Sequence, residues 1–82
     1  MVVTWDERKR LSNLDKHGLD FAELSSEFFE RAMIGPAKKG RLFALGRLPD
    51  GVVVVFFAAL GTEAISVISM RPASKKERLN AP

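Results

Sequence analysis

The chain has 82 residues, 46% of them hydrophobic, with 13 Lys/Arg against 10 Asp/Glu, one histidine and no cysteine. That composition fits one small domain over residues 1–82, which at this size buries only about 60% of its unfolded surface. It excludes a disulfide framework and a thiolate or multi-histidine metal site; the longest apolar run, VVVVFFAAL at 52–60, is too short for a membrane helix, and no signal-peptide pattern precedes Asp6, so a cytoplasmic protein without membrane contact is expected.

MVVTW reads as a first strand. Thr4 and Glu7 have capping-box spacing, with Asp6 as a rival N-cap. A helix follows from about Asp6 to His17, with Leu11 and Leu14 on one face and Asp6 four residues before Arg10. Gly18 ends it, because glycine takes the left-handed C′ conformation at little cost. A second helix is predicted at once. Asp20 and Glu23 form a box-like pair, Leu19 and Leu24 a staple, and Phe21, Leu24 and Phe28 an apolar face that runs out near Glu30.

The period then changes. RAMI is a short strand and GPAKKG a loop. RLFALGRL alternates, with Arg41, Phe43, Leu45 and Arg47 on one face and Leu42, Ala44 and Leu48 on the other. PDG at 49–51 is a hairpin turn. VVVVFFAAL, apolar on both faces, reads as a central strand covered on both sides. GTE at 61–63 reverses the chain into a last strand, AISVISM, and a short helix starts at Ser74 with Glu77 at capping-box spacing. The order is βααββββα, an α+β fold on a small antiparallel sheet. Phe28, Phe29, Phe56 and Phe57 are assigned to the core, with Phe21 and Trp5 at its rim.

Charge is divided unevenly. Residues 1–30 carry a net −3 and residues 31–82 a net +6. A basic C-terminal part suggests a surface facing a polyanion, nucleic acid first. An ordinary solvated basic surface fits the same numbers.

Two stretches resemble a known family. WDERKRLSNLDKHGLDF carries W-D-x2-K-x3-N-x2-K-H-G through Trp5, Asp6, Lys9, Asn13, Lys16, His17 and Gly18. ISMRPASKKER carries I-S-x-R-x-A-x3-E-R through Ile68, Ser69, Arg71, Ala73, Glu77 and Arg78. With the hairpin between them, they resemble the BrnT toxins of type II toxin–antitoxin pairs over nearly the whole chain. The resemblance implies a RelE-like fold and a small ribonuclease that inhibits translation by cutting mRNA, free or ribosome-bound. It also implies a tightly bound BrnA-like antitoxin, with operator DNA bound only through the antitoxin complex, and no cofactor. Three places depart from the family pattern. Ser66 and the AALGTE segment stand where the family often has arginine, and Ala81 where an aromatic is common. These departures keep a second reading open: a non-catalytic toxin-like module acting with its antitoxin as a transcriptional corepressor.

RNA can be cut without a metal, because its 2′-hydroxyl attacks the adjacent phosphate. The protein then supplies a base, an acid and positive charge. On that reading the catalytic candidates are His17, Arg71, Glu77 and Arg78. The RNA-binding candidates are Lys16, Lys38, Lys39, Arg41, Arg47, Lys75 and Lys76.

Each has a plainer alternative. His17 suits proton transfer by residue type, yet a histidine also suits a helix C-terminus. Arg71 ends a strand beside a helix start, which suits a phosphate or a helix carboxylate equally. Lys75 and Lys76 oppose the dipole of a first helical turn, which a bound anion would repair; two solvated lysines would cost only about a few tenths of a kcal/mol. Glu77 already has a role in the box with Ser74, and Arg78 is an electrostatic candidate. Lys38, Lys39, Arg41 and Arg47 could track an RNA backbone, with Arg41 and Arg47 bracketing Phe43. The same pattern guards an edge strand against aggregation.

Overall fold

Five strands form one sheet in the order β1-β5-β4-β3-β2. They are β1 (Val2–Trp5), β2 (Met33–Pro36), β3 (Leu42–Leu48), β4 (Gly51–Leu60) and β5 (Ala64–Pro72). Three helices accompany them: α1 (Glu7–His17), α2 (Ser26–Arg31) and α3 (Lys75–Leu79). The computed structural model describes residues 1–82. The element order is the predicted one. Strands β2 to β5 are antiparallel as expected, and β1 joins β5 in parallel, with Trp5 opposite Val67. No local signal marks that pairing, because it joins residues about sixty apart in sequence.

β4 is apolar on both faces because both faces are covered. Val53, Val55 and Phe57 join Phe21, Phe28, Phe29, Val67 and Met70 in the larger cluster under the helices. Val52 and Val54 join Leu45 and Ala73 in a smaller cluster on the other face. Fully burying such a side chain contributes about 1.5–3 kcal/mol, so β4 alone supplies much of the driving force. Glycine at 46 lets Phe28 pack directly on β3, since a Cβ there would lie 2.8 Å from the Phe28 ring.

Helix α1 departs from its predicted packing. Asp6 is the N-cap, accepting from the Arg8 N–H, and no Thr4–Glu7 box forms. The Thr4 hydroxyl instead donates to the Ile65 carbonyl at 2.7 Å. Leu11 and Leu14 are 52% and 37% exposed, while Asn13 is 6% exposed. The reason is the edge of β5. β1 covers that edge only as far as Val67, so the Met70 N–H needs another acceptor. It donates to Asn13 Oδ1 at 3.0 Å, and Asn13 Nδ2 donates to the Leu19 carbonyl at 3.1 Å. One buried amide therefore ties α1 to both the sheet and the following loop.

The predicted second helix is two pieces. Phe21–Glu23 is a single 3₁₀ turn capped by Asp20, and α2 starts afresh with Ser25 as its N-cap. Leu24 between them is extended and buried. Arg10 locks the entry to this segment through Glu7 and Asp20, at 2.7 and 3.1 Å. Phe21 is fully buried rather than at the rim, edge-on to Trp5 at 6.4 Å. Phe56 is the one misassigned core phenylalanine, since it is half-buried on the opposite face of the sheet.

β5 contains a bulge. Phe57 pairs with Val67 and Phe56 with Ser69, leaving Ile68 without a partner. A one-residue slip sends every later side chain to the other face. Met70 therefore joins Val67 in the core, and Ser69 and Arg71 turn to the opposite face. Simple alternation from the sequence would instead put Ser69 and Arg71 on the face of Ile65 and Val67.

Replacing Asn13 by Ala removes the partner of the buried Met70 N–H and of the part-buried Leu19 carbonyl and is expected to destabilise the fold by about 1–3 kcal/mol. Replacing the exposed Leu11 by Ser is expected to stay within about 0.5 kcal/mol. Denaturant unfolding of both variants checks the contrast, and a costlier Leu11 change would contradict this packing.

Candidate functional site

The side of the sheet opposite α1 and α2 holds a groove of about 550 Å³. Two transverse rows of side chains make its floor. Strand register places Gly35, Phe43, Phe56 and Ser69 in one row across β2, β3, β4 and β5. Met33, Leu45, Val54 and Arg71 form the next row. All but Gly35 line the groove. The turn between β2 and β3 contributes Ala37, Lys38 and Arg41 to one wall, and α3 contributes Glu77 and Asn80 to the other. α3 is too short to roof the rows.

The polar centre is an ion pair. Arg71 Nη1 donates to Glu77 Oε1 at 2.8 Å and Nη2 to Oε2 at 3.0 Å, the fork-to-fork geometry that favours Arg over Lys. The Arg71 guanidinium also stands over the Phe56 ring, 5.7 Å from its centre. Glu77 is held further by its capping box: the Ser74 N–H donates to Oε1 at 2.7 Å, and the Glu77 N–H donates to Ser74 Oγ. The hydrogen bonds from Arg71, then that from the Ser74 backbone, hold the Glu77 carboxyl at about 2. The Arg71 guanidinium is pushed above its ordinary value, chiefly by its bond to Glu77. At neutral pH both are charged and fully engaged. No group of three His, Cys, Asp or Glu side chains lies close enough to hold a metal ion.

Four predicted residues meet in this groove: Arg71, Glu77, Lys38 and Arg41. The others lie elsewhere. His17 and Lys16 are exposed in the last turn of α1, ahead of Gly18, whose left-handed backbone closes the helix. Lys39 is exposed at the tip of the β2–β3 turn, at φ 61°. Arg47 is exposed, and its Nε donates to the Pro82 carbonyl at 2.8 Å, far from Arg41 along β3. β3 is an interior strand between β2 and β4, so its charges guard no edge. Lys75 and Lys76 are exposed on α3. Arg78 is exposed, and its Nη1 donates to the Ala73 carbonyl at 3.1 Å, bracing α3 rather than lining the groove.

Of the aromatic floor, Phe43 is signalled in the sequence by Arg41 and Arg47 on its strand face, whereas Phe56 is assigned to the core and missed. Phe56 sits in an unbroken apolar run with no local sign of which face it takes. Its pairing with Phe43 was nevertheless accessible. The PDG turn sets Leu48 opposite Gly51, and counting outward brings Phe43 opposite Phe56. Ser69 and Arg71 could not be placed beside them without the bulge.

A family model described as the ribonuclease toxin, BrnT, of type II toxin–antitoxin systems matches residues 5–77. The chain is also similar to a solved structure, the 1.1 Å crystal structure of the Brucella abortus ribonuclease toxin, BrnT. The TM-score is 0.84 at 50% identity, covering 92% of this chain and 99% of that one. Comparison with curated proteins returns no match.

The ion pair carries a pH signature. Glu77 binds its proton at about 2 in the fold against an ordinary 4.5, so its contribution to stability is complete above pH 4.5 and is lost as pH falls toward 2. Glu77→Gln keeps an N3 residue that can cap but cannot ionise. The melting temperature of wild type is expected to fall more steeply than that of Glu77→Gln across this window; parallel curves would mean that the pair adds no stability.

Proposed function

This chain belongs to the BrnT family of ribonuclease toxins of type II toxin–antitoxin systems, and from that membership we propose that it is an active, metal-independent endoribonuclease with its reaction centre at the Arg71–Glu77 pair. The observation that carries the reading is the bidentate pair itself, set at the end of a groove whose opposite wall holds Lys38 and Arg41. A phosphodiester presents two oxygens with the same spacing as a carboxylate. It can take the Arg71 fork and displace Glu77.

That exchange does two things. Arg71 then neutralises the phosphate where negative charge grows during 2′-hydroxyl attack. Glu77 meanwhile loses the largest of the interactions that depress its pKa. Its carboxyl rises toward the ordinary range and becomes a better base. In the step itself, the 2′-oxygen gives its proton to Glu77 and bonds to phosphorus. The bond from phosphorus to the 5′-oxygen breaks, and that oxygen takes a proton from water, whose hydroxide is neutralised by the proton Glu77 has taken. The products are a 2′,3′-cyclic phosphate and a free 5′-hydroxyl, with Glu77 returned to its ionised form.

A toxin of this family has an antitoxin partner. In our reading that partner is BrnA-like, binds tightly, and carries the toxin to operator DNA. The substrate is mRNA and the setting the cytoplasm, where translation proceeds. No helix is long and apolar enough to cross a membrane. His17 stands in our reading only at the exposed end of α1, ahead of Gly18, and Arg78 serves as the brace of α3.

Purified protein and a labelled RNA in EDTA test this. Wild type is expected to leave cyclic-phosphate ends. Arg71→Ala is expected to lose about 10²–10³-fold in rate, as for a lost charge-stabilising donor, and Glu77→Gln about 10²-fold or more, as for a lost proton acceptor. His17→Ala is expected to cut like wild type. RNA left intact by wild type, both free and on translating ribosomes, would overturn the enzyme reading and favour the corepressor module.

A further inference from the structure

Phosphate recognition explains the charged rim of the groove but not its floor. Phosphates want cations and N–H donors, and here those stand at the edges: Lys38 and Arg41 on one side, Arg71 on the other. Between them lies a strip of aromatic and aliphatic surface. Phe43 and Phe56 are direct cross-strand partners, and both are only half-buried. Each therefore forgoes part of the about 1.5–3 kcal/mol that complete burial of such a side chain contributes, and the open part of the strip suits a flat apolar partner.

The backbone beside them is built to keep the floor open. Gly35 is the cross-strand partner of Phe43 on β2. A Cβ at position 35 would lie 2.5 and 2.7 Å from Cε2 and Cζ of Phe43. The ring is therefore laid back over the Gly35 backbone, toward the free edge of the sheet. Any larger residue would drive it into the groove. At the other end of the row Ser69 places a hydroxyl beside the aromatic pair.

We infer that the Phe43–Phe56 pair, seated on Gly35, is a stacking platform for one unpaired nucleobase of an RNA strand whose phosphates lie on Arg71 and on the Lys38–Arg41 wall. This rests on the reading of the groove as an RNA site, and it names what that site reads. Stacking needs a free base face, so the strand is single at this point. Charge selects nucleic acid over an apolar peptide: the groove carries three cations and one carboxylate, and Arg71 already neutralises that carboxylate. Stacking tolerates every base, while Ser69 is the one neutral hydroxyl in the floor that can discriminate base edges.

The test is a thermodynamic cycle on uncleavable probes. A set of single-stranded 2′-O-methyl hexanucleotides, each lacking the base at one position, is bound to wild type, Phe56→Leu, Phe43→Leu and Gly35→Ala, all matched for thermal stability. Base–aromatic stacking of about 1–3 kcal/mol is partly retained by leucine, so each Leu variant is expected to weaken binding of the intact probe about 5- to 30-fold. At one position, removing the base is expected to weaken wild-type binding by a similar factor and to add nothing in the Leu variants. Gly35→Ala, which keeps both phenylalanines but displaces one, is expected to weaken the intact probe too. A base-paired probe of equal length is expected to bind less well than the single strand.

Additive losses at every position would overturn the platform and leave only a packing role for the two rings. Equal binding of single- and double-stranded probes would overturn it as well. So would a Phe56→Leu effect on antitoxin binding with no effect on any oligonucleotide. Those results leave the RNA reading standing so long as Arg71→Ala abolishes cleavage. No binding of any probe by wild type would sink that reading and the platform together.

Discussion

An unpaired residue in β5, Ile68, determines which face of the sheet each later residue of this protein occupies. Up to Val67 the strand alternates in step with the helix-covered core. The bulge shifts that alternation by one, so that Met70 returns to the core while Ser69 and Arg71 turn to the open face. Beyond the bulge, where β1 no longer covers the outer edge of β5, Asn13 of α1 accepts the Met70 N–H. Asn13 and Arg71, one from each motif, are thus linked through the fold: the amide holds the segment that aims the arginine.

The two faces of the sheet then have separate tasks. One carries the larger cluster, built around Phe21, Val55, Val67 and Met70 and covered by the helical segments. The other has only the smaller cluster and the five-residue α3, and it stays open as the groove. This division lets a small chain spend most of its apolar surface on stability and still present an uncovered floor. Leu11 and Leu14, which a helical wheel would place inward, are left outside because the inward stripe of α1 is used for a hydrogen bond rather than for packing.

The ion pair at the groove's end joins fold and chemistry. Glu77 caps α3 and holds Arg71 with the same carboxylate. A helix-capping role and the proposed reactive role therefore do not compete for this residue: the cap positions its carboxylate and the arginine keeps it ionised. His17 illustrates the opposite case. Its residue type suits proton transfer, but its place is the exposed end of α1, away from Arg71 and Glu77 as lining groups of the groove.

Much of this was legible in the residues alone. Caps, turns and periods are local, so Gly18, the PDG hairpin, the two-sided β4 and the Ser74–Glu77 box could all be read from neighbours in sequence. The paired motifs likewise carried the family, because their spacing is a property of the chain. Even the Phe43–Phe56 pair follows from counting outward along one hairpin. Three features do not follow: the parallel seat of β1 beside β5, the burial of Asn13 in place of two leucines, and the turning of Arg71 to the face of Phe56. Each depends on which backbone groups remain unpaired once the sheet has assembled. That is decided between residues far apart in sequence, by hydrogen bonds that no local pattern records.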